Sequence, residues 1–286
     1  MKRDLDLVVL SDTHLGTYGC HAKELLLYLK SIQPKTLVLN GDIIDIWYFK
    51  KRYFPKEHLD VIRRILKMSA QGTKVYYLTG NHDDMLRQFG ETNFGQIHLR
   101  NKLTFSLGQK NYWIFHGDVF DASIRRARWL ARLGGEGYDL LIRINRAINR
   151  TRSMFGMKPV SFSAKIKQRV KGAVKTISDF ENIAIQLAAE KQYDYVICGH
   201  IHVPQMREVI ADNGHTVTYL NSGDWVENCT ALEYNESKWS LFRYDPVDFE
   251  MVNAKLAVPE LKSMYHLEAS EVEPDSISEQ KELIFS

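Results

Sequence analysis

The sequence predicts an α/β fold carrying a helical insertion, and three observations predict it. Apolar runs of strand length alternate with amphipathic segments of helix length through the first hundred or so residues. The alternation stops between about Ser123 and Leu187, where helical patterns run with no convincing strand among them. Short β runs separated by turn residues then resume at Tyr195.

Leu5–Leu10 is a near-continuous apolar run, the pattern of a parallel strand buried on both faces. Over Ala22–Ser31 the spacing of Leu25, Leu26 and Leu29 predicts a helix with one apolar face. Thr36–Asn40 reads as the second strand, and a long helix spans about Glu57–Gln71, stopping before Gly72. Lys74–Leu78 and Tyr112–Phe115 are further strands. After the insertion come Tyr195–Cys198, Gln205–Ile210, Thr216–Asn221, Ala231–Tyr234 and Trp239–Tyr244, with turn residues such as Asp212-Asn213-Gly214 between them. They read as a largely antiparallel second sheet. Periodicity ends near Ala257. The expected division is a domain over 1–257, its insertion at about 123–187, and an acidic, poorly ordered tail over 258–286.

Composition narrows the class. In 286 residues, 44% hydrophobic and 26% charged content suits a globular core. Cys20, Cys198 and Cys229 form no CxxC pair, which argues against a disulfide framework or a thiolate zinc site and fits a reducing compartment. Asp4 and Asp6 interrupt the apolar run near the N-terminus, so it does not read as a secretory signal. No stretch approaches the ~20 apolar residues of a spanning helix, and the expected location is cytoplasmic. The net charge of +3 conceals an asymmetry. Between Asp121 and Ser178 fourteen basic residues face three acidic ones, while Leu256–Ser286 carries seven acids and two lysines. A basic middle of this kind wants an anionic partner.

Five short segments place polar, chemistry-bearing residues directly after predicted strands. They are Asp12-Thr13-His14, Gly41-Asp42, Gly80-Asn81-His82-Asp83, His116-Gly117-Asp118 and Gly199-His200-Ile201-His202. One Asp after a strand usually caps a helix, and one His usually sits in the core or on the surface. Five such segments together are different, because loops at the carboxyl ends of strands in an α/β sheet converge on one crevice. Imidazoles, carboxylates and an amide with no thiolate suit Mn, Fe or Zn rather than Ca. The donors also exceed the needs of one ion. Two-metal centres clamp the oxygens of phosphoesters and make water acidic enough to react.

The ordered set resembles the calcineurin-like metallophosphoesterases, whose pattern is DxH, GD, GNH[D/E], a His, and GHxH; the resemblance runs over about residues 5–245. It implies two facing mixed sheets flanked by helices, a four-layer sandwich, with a dimetal site at the strand ends. By position, Asp12, His14 and His202 would hold one divalent ion, with Asn81, His116 and His200 holding the other and Asp42 bridging them. His82 would protonate the leaving oxygen and Asp83 would orient it. Mn2+ is the expected metal, with Fe or Zn as alternatives.

SDTHLG, GDIIDIW, HGDVFD, the insertion and GHIHVPQ are together similar to the UDP-2,3-diacylglucosamine hydrolases. That branch implies cleavage of the pyrophosphate of a UDP-linked lipid to UMP and a lipid 1-phosphate in lipid A synthesis. It also implies a helical cap that holds acyl chains. One departure stands out: the branch commonly has Arg where this chain has His82. A nuclease or nucleotide phosphodiesterase on the same site is the alternative, and a non-catalytic scaffold the third reading. The complete motif set argues against the scaffold.

Around this set lie candidate substrate contacts. Trp47 follows the Gly41-Asp42 segment, Arg125 and Arg128 open the basic stretch, and Asp224 sits in Asn221-Ser222-Gly223-Asp224-Trp225. Trp129, Phe155 and Phe162 interleave with arginines in the insertion, as in basic amphipathic helices that lie on anionic lipid. The expectation is a peripheral association with the cytoplasmic face of the inner membrane. Nucleic acid, bound through phosphate neutralisation, is the other anionic partner considered. Loop packing for Trp47, a structural turn for Asp224 and a solvated basic face are the plainer alternatives.

Overall fold

The computed structural model describes residues 2–47, 53–120 and 180–249. The whole basic segment between Asp121 and Ser178, with Arg125 and Arg128, lies outside the described residues, as does the expected tail over 258–286. The described residues up to Tyr244 form one compact unit, and residues 245–249 belong to another.

The first half runs β1 (Arg3–Leu10), α1 (Ala22–Ser31), β2 (Ile32–Asn40), α2 (Lys56–Ala70) and β3 (Lys74–Leu78). A 3-10 helix (Asp84–Phe89) follows, then β4 (Asn93–Phe94), β5 (Ile97–Arg100), β6 (Leu103–Leu107) and β7 (Lys110–Ile114). A helix described over residues 180–190 (α3) returns the chain to the frame. It leads to β8 (Tyr195–Cys198), β9 (Gln205–Ile210), β10 (Thr216–Asn221), β11 (Thr230–Asn235) and β12 (Lys238–Arg243).

Two mixed sheets result, one of seven strands in the order β12-β11-β1-β2-β3-β5-β4 and one of five in the order β6-β7-β8-β10-β9. The period-two alternation of β1 shows how they layer. Val8 and Leu10 face outward onto Leu25 and Leu29 of α1 and Val61 and Ile65 of α2. Leu7 and Val9 face inward, meeting Ile114, Ile197 and Leu220 of the other sheet. The far side of that second sheet is covered by α3, whose Phe180, Ala184, Ile185 and Ala188 pack on Val196, Cys198 and Tyr219. Helix, sheet, sheet and helix make the four layers. Among the described residues no helix is long and apolar enough to cross a membrane.

Three features differ from the sequence expectation. The runs after the insertion do not make one largely antiparallel sheet. β8 pairs in parallel with both β7 and β10, whereas β11 and β12 cross to the seven-stranded sheet, β11 lying antiparallel to β1. Turn residues report a hairpin locally but carry no information about which sheet receives it. β2 begins at Ile32 rather than Thr36 because Pro34 is tolerated there. At that level β2 pairs with β1 alone, and β3 joins only from Thr36 onward. Finally, β4, β5 and β6 are additional strands: β5 pairs in parallel with β3 and carries the two-residue β4 beyond it, and β6, whose Leu103, Phe105 and Leu107 alternate with polar residues, pairs antiparallel with β7.

Candidate metal centre

Every motif segment lies at the carboxyl end of a strand: β1 before Asp12, β2 before Asp42, β3 before Asn81, β7 before His116 and β8 before His200. The first two loops are laced together. Asp12 N–H donates to Gly41 O (3.1 Å), His14 N–H to Asp42 O (2.9 Å) and Asp45 N–H to Leu15 O (2.9 Å). Asp12, His14, Asp42, His200 and His202 all adopt left-handed φ, between 48° and 69°. Non-glycine residues hold that region at a cost of about 1–3 kcal/mol each, and such strain collects at functional sites. At Gly80 the backbone comes so near the Asp42 carboxylate that a Cβ would overlap its Oδ1, so this approach requires glycine.

The side chains converge. His202 Nε2 lies 3.2 Å from Asp12 Oδ1 and 3.3 Å from His14 Nε2. Asp42 Oδ2 is 3.3 Å from His116 Nε2, 3.9 Å from His14 Nε2 and 4.0 Å from His82 Nε2. Asp12, His14 and His202 can offer ligand atoms to one ion, and Asp42, His116 and His200 to another. Asp12 Oδ1, Asn81 Oδ1 and His116 Nε2 are buried with no hydrogen-bond partner. Buried donors and acceptors are seldom left so, and three orphans facing a carboxylate–imidazole cluster fit bound divalent cations. His116 is also oriented from behind, since its Nδ1–H donates to Asn40 O at 2.8 Å.

Electrostatics agree with that donor set. Burial works against ionisation of Asp12, yet His202 and His116 hold its carboxyl at about 2. Asp42 is likewise held well below the usual carboxylate range despite its burial, chiefly by His116. In return the ring of His202 is raised to about 9 by Asp12, against the opposing effect of burial.

The expectation that Asp83 orients His82 is corrected by the geometry. His82 Nδ1 meets Asp45 Oδ2 at 2.7 Å, and the same oxygen lies 3.5 Å from His14 Nδ1. Asp83 is buried beneath, accepting from Ile43 N–H (3.0 Å), Gly80 N–H (2.6 Å) and Tyr77 O–H (2.7 Å), so its oxygens serve the loop. Sequence reasoning passed over Asp45, although its place in Gly41-Asp42-Ile43-Ile44-Asp45 was the available signal. Burial tends to lower the His82 ring, but the Asp45 hydrogen bond and the Asp42 charge raise it above its ordinary value.

Trp47 stands at the mouth, 44% exposed, with its ring centroid 4.4 Å from that of His82. Asp224 does not face the crevice. It is fully buried and accepts from Val226 N–H (2.7 Å), Glu227 N–H (2.5 Å) and the Asn228 amide (2.6 Å). The loop it closes supports the metal centre from behind, through Trp225 N–H to Asp12 O (3.1 Å) and Ser222 Oγ against Ser11 Oγ (2.6 Å). The candidate substrate contact is therefore corrected to a structural turn. Asp224→Ala is expected to lose about 2–4 kcal/mol of stability through unsatisfied backbone donors, seen as a lower Tm at unchanged KM. A rise in KM at unchanged Tm would return Asp224 to the substrate.

The model of the calcineurin-like phosphoesterase family matches residues 5–204. A UDP-2,3-diacylglucosamine hydrolase of Blochmanniella pennsylvanica is 21% identical over 245 residues, covering 81% of this chain and 93% of that protein. Another from Stenotrophomonas maltophilia is 25% identical, over 81% of this chain and 96% of its own. Among solved structures, an archaeal phosphodiesterase aligns at 12% identity over 83% of this chain and 98% of its own, with a TM-score of 0.37. With the family match extending from the first strand through the last motif, the chain belongs to the calcineurin-like phosphoesterases and is a metal-dependent phosphoesterase.

Proposed function

We propose that the protein hydrolyses a phosphorylated lipid, with the pyrophosphate of UDP-2,3-diacylglucosamine as the leading substrate. The observation that carries this reading is the likeness to hydrolases of that name along nearly their whole length, 93% of one and 96% of another. The fourteen basic residues between Asp121 and Ser178 support it, since they suit phosphates and an anionic membrane surface. On this reading the enzyme works at the cytoplasmic face of the inner membrane.

In the same reading Asp12, His14 and His202 hold one divalent ion, Asn81, His116 and His200 the other, and Asp42 spans both, with Mn2+ as resident metal. Such ions supply positive charge to phosphoryl oxygens and ease the deprotonation of water. The rest falls to the chain. Asp45 keeps the Nδ1–H of His82 engaged at 2.7 Å, which leaves Nε2–H directed to the departing oxygen. Trp47 walls the mouth beside that ring.

The His82–Asp45 pair also favours a second reading. A departing phosphate is stable as an anion and needs little protonation, whereas an alkoxide needs it acutely. A positioned imidazole acid is thus of most use on phosphodiesters of alcohols, including nucleotide diesters. Mn2+-loaded protein should be assayed on UDP-2,3-diacylglucosamine in mixed micelles and on an alkyl nucleotide phosphodiester. The leading reading expects kcat/KM for the lipid to exceed that for the diester by ~100-fold or more, the scale set by a built substrate site. Turnover of the diester alone would select the second reading.

A further inference from the structure

The candidate ligands Asn81 and His116 come from different sheets. Asn81 follows β3 of the seven-stranded sheet, and His116 follows β7 of the five-stranded one. An ion they share therefore depends on how the two loops are spaced. His116 is steadied against the end of β2, since its Nδ1–H donates to Asn40 O at 2.8 Å and Asn40 Nδ2 donates to Phe115 O at 3.2 Å. The turn that carries Asn81 is held within its own sheet, by the bonds Asp83 accepts and by His82 N–H, which donates to Asp42 Oδ1 at 2.8 Å. Neither set of bonds ties the Asn81 turn to the His116 loop.

Arg87 makes that tie. It stands on the 3-10 helix just after the turn, partly exposed, and its guanidinium engages both loops. Nε–H donates to Thr79 Oγ1 at 3.0 Å and Nη2–H to Thr79 O at 3.1 Å. Nη2 also donates to Asp118 Oδ2 at 2.7 Å. Thr79 precedes Asn81 by two residues and Asp118 follows His116 by two, so the clamp closes equally near each candidate ligand in sequence. Thr79 is itself anchored, its Oγ1–H donating to Asn101 Oδ1 at 3.0 Å and its N–H to Arg100 O at 3.1 Å. Asp118 is buried, so its charge needs a close partner, and the guanidinium supplies one in the form of a rigid fork.

We propose that Arg87 is a positioning residue: by clamping Thr79 and Asp118 it sets the separation of Asn81 and His116, and through it the affinity of the ion they share. The proposal rests on the reading of Asn81 and His116 as ligands of one ion, and the experiment separates the two. Full-length protein stripped by chelator dialysis is titrated with Mn2+ by calorimetry and with Co2+ by its visible spectrum, at a temperature where circular dichroism shows the variants folded. The variants are Arg87→Met, Arg87→Lys, Asp118→Ala, the double variant Arg87→Met with Asp118→Ala, His116→Ala and Arg3→Met. The last breaks an ion pair of similar length, Arg3 to Glu233 at 2.8 Å, within the seven-stranded sheet. Arg87→Met and Asp118→Ala are each expected to weaken the same one of two ions by about 10-fold or more, the scale of lost support behind a ligand, and to alter the Co2+ spectrum. The double variant should bind no more weakly than Arg87→Met, because the pair acts as one unit. Arg87→Lys, which keeps the charge without the fork, should fall between. Asp118→Ala carries the test if Arg87→Met does not fold, since it leaves a partly exposed guanidinium that water can reach and strands no buried carboxylate. Arg3→Met should bind metal as the parent does.

Parent-like affinities in both Arg87→Met and Asp118→Ala, or equal weakening in Arg3→Met, would overturn the proposal. Parent-like affinity in His116→Ala would instead overturn the ligand assignment beneath it.

Discussion

Asp42→Ala is expected to lose both divalent ions and to abolish phosphoesterase activity while leaving the sandwich folded. The carboxylate stands at the junction of the two donor groups, with Oδ2 3.3 Å from His116 Nε2 on one side and 3.9 Å from His14 Nε2 on the other. Its Oδ1 is also committed, accepting from His82 N–H at 2.8 Å, so the group has one orientation. On the proposed reading, removing it takes away the anionic charge that would hold two cations near one another. Activity should fall by more than ~10³-fold, at or beyond the loss seen when one preorganised electrostatic group is removed. Elemental analysis after dialysis should find no ion per chain against two in the parent. Asp42→Asn, which retains an oxygen but not the charge, should keep part of the metal. Two ions retained by Asp42→Ala would mean that the bridging role is wrong.

His82→Ala should behave in the opposite way toward metal, retaining both ions while kcat falls by roughly 10²–10⁴-fold, the usual worth of a general acid. Its Nδ1 is engaged by Asp45 and Trp47 lies against the ring, so on the proposed reading its loss should open the mouth without removing a donor. The size of the effect should depend on the leaving group. An alkyl phosphodiester, which needs a proton on the departing oxygen, should suffer the full loss. A p-nitrophenyl ester, whose leaving group departs as a stable anion, should lose far less. Asp45→Asn should follow the same pattern at smaller amplitude, because an amide still accepts from Nδ1–H but no longer supports the charged ring. Equal losses across leaving groups would show that His82 acts by charge or shape and not by proton transfer.

The order of the motifs and the strands before them were legible in the sequence because each rests on local physics. Lys74–Leu78, Tyr195–Cys198, Gln205–Ile210 and Thr216–Asn221 appear with the predicted bounds, short β runs closed by turn residues. The residues of the candidate centre were legible for a related reason. A loop after a parallel strand opens at one edge of its sheet, so Asp12, Asp42 and Asn81 share an edge of the seven-stranded sheet and His116 and His200 an edge of the five-stranded one, and the packing of the two sheets brings those edges together. Which carboxylate supports His82 was not legible. Asp83 is its neighbour in sequence and Asp45 its neighbour in space, and the choice is made by Gly80 N–H, Ile43 N–H and the Tyr77 hydroxyl, which engage Asp83 below the site. Asp224 was indistinguishable from a substrate contact until backbone donors of residues 226–228 were seen to close on it. The crossing of β11 and β12 to the first sheet has the same origin. Sequence periodicity determines which face of an element is apolar and where a loop opens. Only the tertiary structure decides which distant group meets that face, because burial and hydrogen-bond satisfaction are settled over the whole fold at once.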